Sequence, residues 1–245
     1  MRKDMLLPMD DYDLFGTAFL DHLEGRGQPF YLERDDGYVD EQRMEVYFAE
    51  FENFEHPEKQ ALQHVKGRVL DIGVGAGRIA LYLQAKGHEV VGIDLSDKAI
   101  EVSKRRGVKE VLKMSACDLK FPDASFDTAI AFCNNFGLCG TMTGVERMLG
   151  DLHRIVKPGG LFLASSIQPT RTKNPAHLSY HSKNRARGLP PGQVKLRELY
   201  KEKVGPWWDL LMVTPREMKA LCDSTGWKIE KAYCGVMDVY VLTRI

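Results

Sequence analysis

A single α/β unit on a mostly parallel sheet is the fold class this sequence predicts, and three observations predict it. From residue 67 onward, short apolar runs alternate with helix-period segments across short connections. A glycine-rich stretch, DIGVGAG at 71–77, interrupts the first run where a strand would pass into a helix. Near the end, Thr214-Pro215-Arg216-Glu217 reads as a helix start and is followed by two strand-like runs.

The elements follow in order. Residues 68–72 (RVLDI) form a short apolar strand running into the glycines, and 78–85 (RIALYLQA) a helix stopped by Gly87. Residues 89–94 (EVVGID) are a second strand, after which Ser96 or Asp97 can cap a helix ending near Gly107. Strands three and four are 110–116 and 126–133, a helix covers about 144–156, and strand five follows Lys-Pro-Gly-Gly at 161–166. Residues 168–206 hold five of the eleven prolines and predict an irregular insertion, within which 194–203 and 207–213 can pair around Gly205-Pro206. The Thr214 helix then runs to Gly226, and 228–233 with 239–243 close the chain as an antiparallel hairpin turning near Gly235. Four segments result: an N-terminal helical cap (1–66), a core (67–167), an insertion or lid (168–213), and the end of the core (214–245).

Composition bounds the function. The 245 residues are 44% apolar and 28% charged, enough for a self-sufficient core and unlike a disordered chain. No apolar run reaches the ~20 residues of a membrane span. The opening, MRKDMLLPMDDYDLF, has too short an apolar stretch for a secretory leader, so a cytoplasmic chain is expected. Five cysteines, at 117, 133, 139, 222 and 234, contain no C-x-x-C pair and are odd in number. They predict reduced thiols packed as small hydrophobes, with no disulfide framework and no zinc site. The 34 basic and 34 acidic side chains cancel, but unevenly. Residues 1–60 carry 6 basic and 16 acidic groups, and residues 168–204 carry 9 and 2. The expectation is that these two segments meet over the site and pair there, so that salt loosens the closure.

The chemistry lies in the glycine loop. Gly73 and Gly75 let the backbone approach a ligand, and the helix N-terminus behind them offers free N–H groups. Asp94, 21 residues after Gly73 and at the end of strand two, can accept both hydroxyl hydrogens of a ribose. Nicotinamide, flavin and S-adenosylmethionine (SAM) sites share this much. Three features favour SAM: Asp71 two positions before the first glycine, Arg78 where a dinucleotide fingerprint carries its third glycine, and Asp118 after strand three, able to accept from an adenine amine.

With VLDIGVGAGR, VVGIDLS, SACDLKFPDASFDTAI and RIVKPGGLFL in this order, the chain resembles the class I SAM-dependent methyltransferases. More closely, it is similar to microbial members of unassigned substrate through Asp35–Tyr38, Cys133–Gly137, Asn174–His181 and Gly205–Asp209. The resemblance implies a seven-stranded, doubly wound Rossmann-like sheet of order 3-2-1-4-5-7-6 with the last hairpin antiparallel. It also implies SAM as cofactor, S-adenosylhomocysteine (SAH) as product, and no metal. Asp71, Gly73 and Gly75 would then lie at the amino-acid end of SAM. Asp94 would hold the ribose and Leu95 flank the adenine. Asp118, with the backbone of Cys117 and Leu119, would read the adenine edge, and Asn134 would lie near the methionine part.

Methyl transfer mainly needs a positioned nucleophile, with a base only if a proton must leave. His177 and His181, four apart, share a face if their segment is helical, and are candidates for general base or substrate ligand. The plainer alternative is a pair of surface-loop histidines, and no third ligand stands at a spacing suited to zinc. Tyr38, Tyr47, Asn135 and Trp207 are candidates for lining a substrate pocket. A small-molecule acceptor in a capped pocket is the leading expectation, with no membrane partner and a monomeric or homodimeric state. The alternative is an RNA- or protein-directed enzyme docking through the basic 168–204 segment, against which stand the zero net charge and the acidic N-terminus.

Overall fold

The computed structural model describes residues 12–245. The expectation that the opening residues are no leader therefore lies largely outside the described part. Helix α1 (Leu14–Leu23) is capped by Asp13, whose carboxylate accepts the Gly16 N–H at 2.9 Å. It is followed by β1 (Phe30–Arg34), β2 (Val39–Gln42), the short α2 (Glu45–Phe48) and α3 (His56–Leu62). The N-terminal segment thus adds a strand hairpin to the helices expected there.

The core begins with β3 (Val69–Ile72), buried at every position as befits a central parallel strand. Then come α4 (Arg78–Ala85), β4 (Val90–Asp94) and α5 (Asp97–Arg106). Ser96 caps α5 by accepting the Ala99 N–H, three basic residues fill its last turn, and Gly107 closes it at φ 109°. Edge strand β5 (Glu110–Lys113) buries only Val111. Next are β6 (Phe126–Ala131), α6 (Met142–Ile155) and β7 (Val156–Ile167).

The insertion, expected to be irregular, carries α7 (Pro175–Ala186), β8 (Gln193–Tyr200), β9 (Lys203–Val204) and β10 (Trp208–Leu211). Asn174 caps α7 and Pro175 occupies its first turn, a start signal that the surrounding prolines masked. β8 and β10 pair antiparallel, as the sequence suggested. The capping box of Thr214 and Glu217 starts α8 (Pro215–Thr225), and β11 (Trp227–Tyr233) and β12 (Met237–Arg244) form the terminal hairpin.

Seven strands form the main sheet in the order β11-β12-β7-β6-β3-β4-β5, with β12 antiparallel to both its neighbours and the others parallel. In core-strand counting this is the expected 3-2-1-4-5-7-6. Alternation in β3 sends Leu70 and Ile72 to the face covered by α6 and α8, and Val69 to the face covered by α4. Trp227 anchors the first of these layers, its indole N–H donating to Leu149 O at 3.1 Å.

The second sheet, β10-β8-β1-β2 with β9 on β8, joins the two oppositely charged segments. Residues 30–34 of β1 pair along their length with residues 196–200 of β8. The segments do meet, but through a backbone ladder. Charge pairs between described residues of the two segments include Glu33–Arg197 at 2.7 Å and Asp21–Lys201 at 2.6 Å, both with partly exposed bases. Such pairs contribute about 0.2–1 kcal/mol each. Contrary to the sequence expectation, closure should therefore hold in salt. Limited trypsin digestion should cut the insertion at the same rate in low salt and in about 1 M salt, where screening acts beyond about 3 Å; a several-fold acceleration would show that the ion pairs hold it.

Candidate functional site

Where the parallel strands end, the glycine loop is stitched to its neighbours from both sides. Gly73 and Val74 N–H both donate to Ile93 O at 2.9 Å, and Gly75 N–H donates to Asp94 Oδ2 at 3.0 Å. On the other side, Asn135 Nδ2 donates to both Ile72 O and Gly73 O at 2.9 Å. Gly73 and Gly75 sit at φ 69° and 52°, the left-handed region where a side chain is strained. A Cβ on Gly73 would also meet the Asn135 amide at 2.4 Å.

Asp94 accepts on its other oxygen from Ser96 N–H at 3.0 Å, and Ser96 Oγ donates to Asp13 at 2.6 Å, which ties α1 to the site. Burial raises the Asp94 carboxyl above its ordinary range, against those N–H groups.

Asp71 is buried, and its Oδ2 has no hydrogen-bond partner. Burial pushes its carboxyl up to about 7, opposed by the Arg78 guanidinium and assisted by the Asp94 charge. Arg78 itself is committed to a buried bidentate pair with Glu58, at 2.9 and 2.5 Å, and lies 3.0 Å from Cys133 Sγ.

Above the loop lies a cavity of about 770 Å³, roofed by the second sheet. Asp71, Gly73, Gly75, Asp94, Asn134, Asn135, Tyr38, Tyr47, His177 and His181 are all on its wall. The two asparagines serve the scaffold. Asn134, at φ 64°, donates to Leu211 O and accepts from Ile167 N–H, joining β6 to β7 and to the roof. Tyr47 packs against Phe15 edge-on and Phe19 at a tilt, with ring centroids 5.8 and 5.1 Å away. Tyr38 meets the His177 ring edge-on at 4.8 Å. Both histidines fall on α7, one turn apart. His177 Nε2 is buried without a partner, while its Nδ1 lies 3.4 Å from Thr172 Oγ1. Burial, then the Arg34 charge, lowers the His177 pKa; burial, then His177, lowers that of His181. Both imidazoles are therefore neutral at neutral pH.

The remaining candidates lie elsewhere. Leu95 is exposed beside Asp94, Leu119 is buried in the core, and exposed Asp118 pairs with Lys120 at 2.9 Å. Trp207 is turned outward under the Arg197 guanidinium, 4.5 Å from its ring. The alternation of β10 sends Trp208 and Leu210 into the cavity instead, one residue out of step with the sequence choice. Glu198 also faces the cavity and was missed; its signal was the inward set Val194, Leu196, Glu198, Tyr200 within one alternating run.

The expectation of unpaired thiols is corrected too. Cys117 and Cys139 form a disulfide with Cα atoms 5.6 Å apart, tying the loop after β5 to the segment before α6. Pairing here is set by the fold, since neither residue belongs to a short motif. Cys234 is exposed, so the thiols are not all packed as small hydrophobes either. Among the described residues no cluster of histidine, cysteine and acidic side chains has a metal-binding arrangement.

The donor set fits SAM. A buried carboxylate oxygen without a partner suits the ammonium of its amino-acid end, and two strained glycines leave room for that end. Asp94, held by two N–H groups, keeps lone pairs for ribose hydroxyls.

Comparison with known proteins agrees. Residues 70–164 match the family described as a methyltransferase domain. A demethylmenaquinone methyltransferase of Thermus thermophilus is 36% identical over 118 residues, 44% of this chain and 51% of that protein. A phosphatidylethanolamine N-methyltransferase of Cereibacter sphaeroides is 33% identical over 116 residues, 43% of this chain and 55% of its own. The chain thus spans about half the length of these curated relatives. A Bacteroides fragilis SAM-dependent methyltransferase, solved with SAH, superposes with a TM-score of 0.81 at 25% identity over 98% of both chains. Residues 70–164 thus match a methyltransferase domain, and the strand order and glycine loop give the chain the fold of the SAM-dependent methyltransferase from Bacteroides fragilis.

Proposed function

We propose that this chain transfers the methyl group of SAM to a small molecule enclosed between the glycine loop and the second sheet. The observation that carries this reading is the roofed cavity of about 770 Å³, which has the cofactor loop as its floor. That volume is in the range of small-molecule sites. Demethylmenaquinone and phosphatidylethanolamine, named for the relatives, are both small compared with a protein or an RNA. The basic insertion spends Arg171 on Asp238, Arg197 on Glu33 and Lys201 on Asp21, which leaves less charge for a nucleic-acid or protein surface.

When bound, SAM supplies a methyl group on a sulfonium, an electrophile that needs no further activation. Asp71 would hold the ammonium, the Gly73 and Gly75 backbone the rest of the amino-acid end, and Asp94 the ribose. Leu95 and Asp118, exposed outside the cavity wall, would border the adenine where it extends past Asp94. The roof and the Phe15, Phe19 and Tyr47 cluster exclude water and align the acceptor, a positioning effect of about 7–11 kcal/mol in favourable cases. His177 Nε2, neutral and without a partner, accepts the proton of an acceptor that has one to lose.

Calorimetric titration with SAH tests the cofactor half. Asp94→Ala should weaken binding by about 1–3 kcal/mol through the lost charge-assisted bonds; unchanged affinity would remove Asp94 from the site. The catalytic half is tested with an acceptor found by screening compounds for SAH formation. His177→Ala should lower kcat by about 10²–10⁴-fold while SAH affinity is kept. Because the pKa of His177 is lowered, the wild-type rate should fall only as pH drops below that of an ordinary histidine, about 6.5. A kcat within about threefold of wild type would eliminate His177 as the base.

A further inference from the structure

The roof of the cavity is an inner sheet face whose charged groups are mostly spoken for. Leu32 of β1 stands between Asp40 of β2 and Glu198 of β8, and Leu196 stands between Arg34 and Trp208. Arg34 is fixed by two bonds to Asp36, at 2.8 and 2.9 Å, with the Tyr180 ring 4.2 Å from its guanidinium. Asp40 is exposed at the rim and accepts from Gln42 at 3.0 Å.

Glu198 differs from both. It is half-buried on the cavity wall, and no cationic side chain among the described residues pairs with it. Burial pushes its carboxyl up to about 7, assisted by the Asp13 carboxylate and opposed by its own backbone N–H and the neighbouring Trp208 indole N–H. The Trp208 N–H is buried and makes no hydrogen bond of good geometry.

A charge inventory of the cavity wall leaves an acidic excess, with Arg43 set against Asp40 and Glu41 at its exposed rim. Glu58 answers Arg78, and Asp36 answers Arg34. Asp71 and Asp94 belong to the cofactor end, and Glu198 stands on the roof. Phe15, Phe19 and Tyr47 line the same space with rings, which attract cations. A positive group on an apolar body is the ligand such a wall lacks, because a carboxylate left alone in an apolar setting is costly.

We propose that Glu198 is the recognition group for the methyl acceptor and selects an apolar small molecule carrying a basic amine. The assignment rests on the reading of this cavity as the acceptor site. The amine pairs with the Glu198 carboxylate, which stands beside the buried Trp208 indole. Glu198 acts on binding and orientation; no proton transfer is required of it.

The test uses SAH-saturated protein and three calorimetric probes of similar body: 2-phenylethylamine, 2-phenylethanol and 3-phenylpropanoate. Wild type should bind the amine about tenfold or more tightly than the alcohol, with the carboxylate weakest. Glu198→Gln should abolish the amine preference while SAH affinity stays within about twofold. The wild-type ranking stands independently of whether the variant folds. The proposal is overturned if the alcohol equals the amine, if none of the probes binds, or if the preference survives in Glu198→Gln. A changed SAH affinity in the variant also overturns it, because Glu198 would then belong to the cofactor end. Wild type that fails to bind SAH removes the methyl-transfer reading itself, whereas SAH binding without amine preference removes only the role of Glu198.

Discussion

Everything at this site depends on how the chain is held as it leaves β3. Three successive N–H groups of the glycine loop are bonded to the end of β4: two to Ile93 O and one to the Asp94 carboxylate. Asn135 grips the carbonyls of Ile72 and Gly73 from the other side. The loop is therefore fixed before any ligand arrives, which lowers the ordering cost of binding. The same geometry turns Asp71 inward with an oxygen that nothing among the described residues satisfies. Such an atom is expensive in a folded chain unless a ligand uses it.

The second constraint is the roof. It is assembled from β1 and β8, two stretches from opposite sides of the core sequence, and their ladder closes the cavity over the loop. Zero net charge conceals this arrangement. The acidic N-terminal segment and the basic insertion face each other, yet backbone bonds and the Phe30–Tyr200 contact, 5.9 Å between ring centroids, do most of the joining. Charge bias describes which segments are partners better than it describes what holds them.

Legibility in the sequence followed the range of the interaction. The core strands, the Ser96 and Thr214 caps, the Gly107 and Gly226 stops and the glycine loop all depend on residues a few positions apart, so the sequence displays them. The β1–β2 hairpin was missed because β1 takes its other ladder partner from β8, far along the chain. The Cys117–Cys139 bond has the same character, for the fold alone brings those thiols together. Trp207 and Trp208 were separable only by knowing where β10 starts, since a one-residue step reverses the face. Glu198 looked like one acid in a basic stretch until register set it on the inner face.

The central claim is that the buried Asp71 carboxyl receives the ammonium of the cofactor. Calorimetric titration of SAH across pH tests it directly. Asp71 is held near 7 in the free protein, and binding a cation there requires the carboxylate, so the proton must leave on binding. Affinity should therefore fall by about tenfold from pH 8 to pH 6, with proton release visible in buffers of different ionisation enthalpy. Asp71→Asn should bind weakly and lose that pH limb. A wild-type affinity that is flat over this range, or an Asp71→Asn variant that binds SAH as tightly as wild type, would contradict the account.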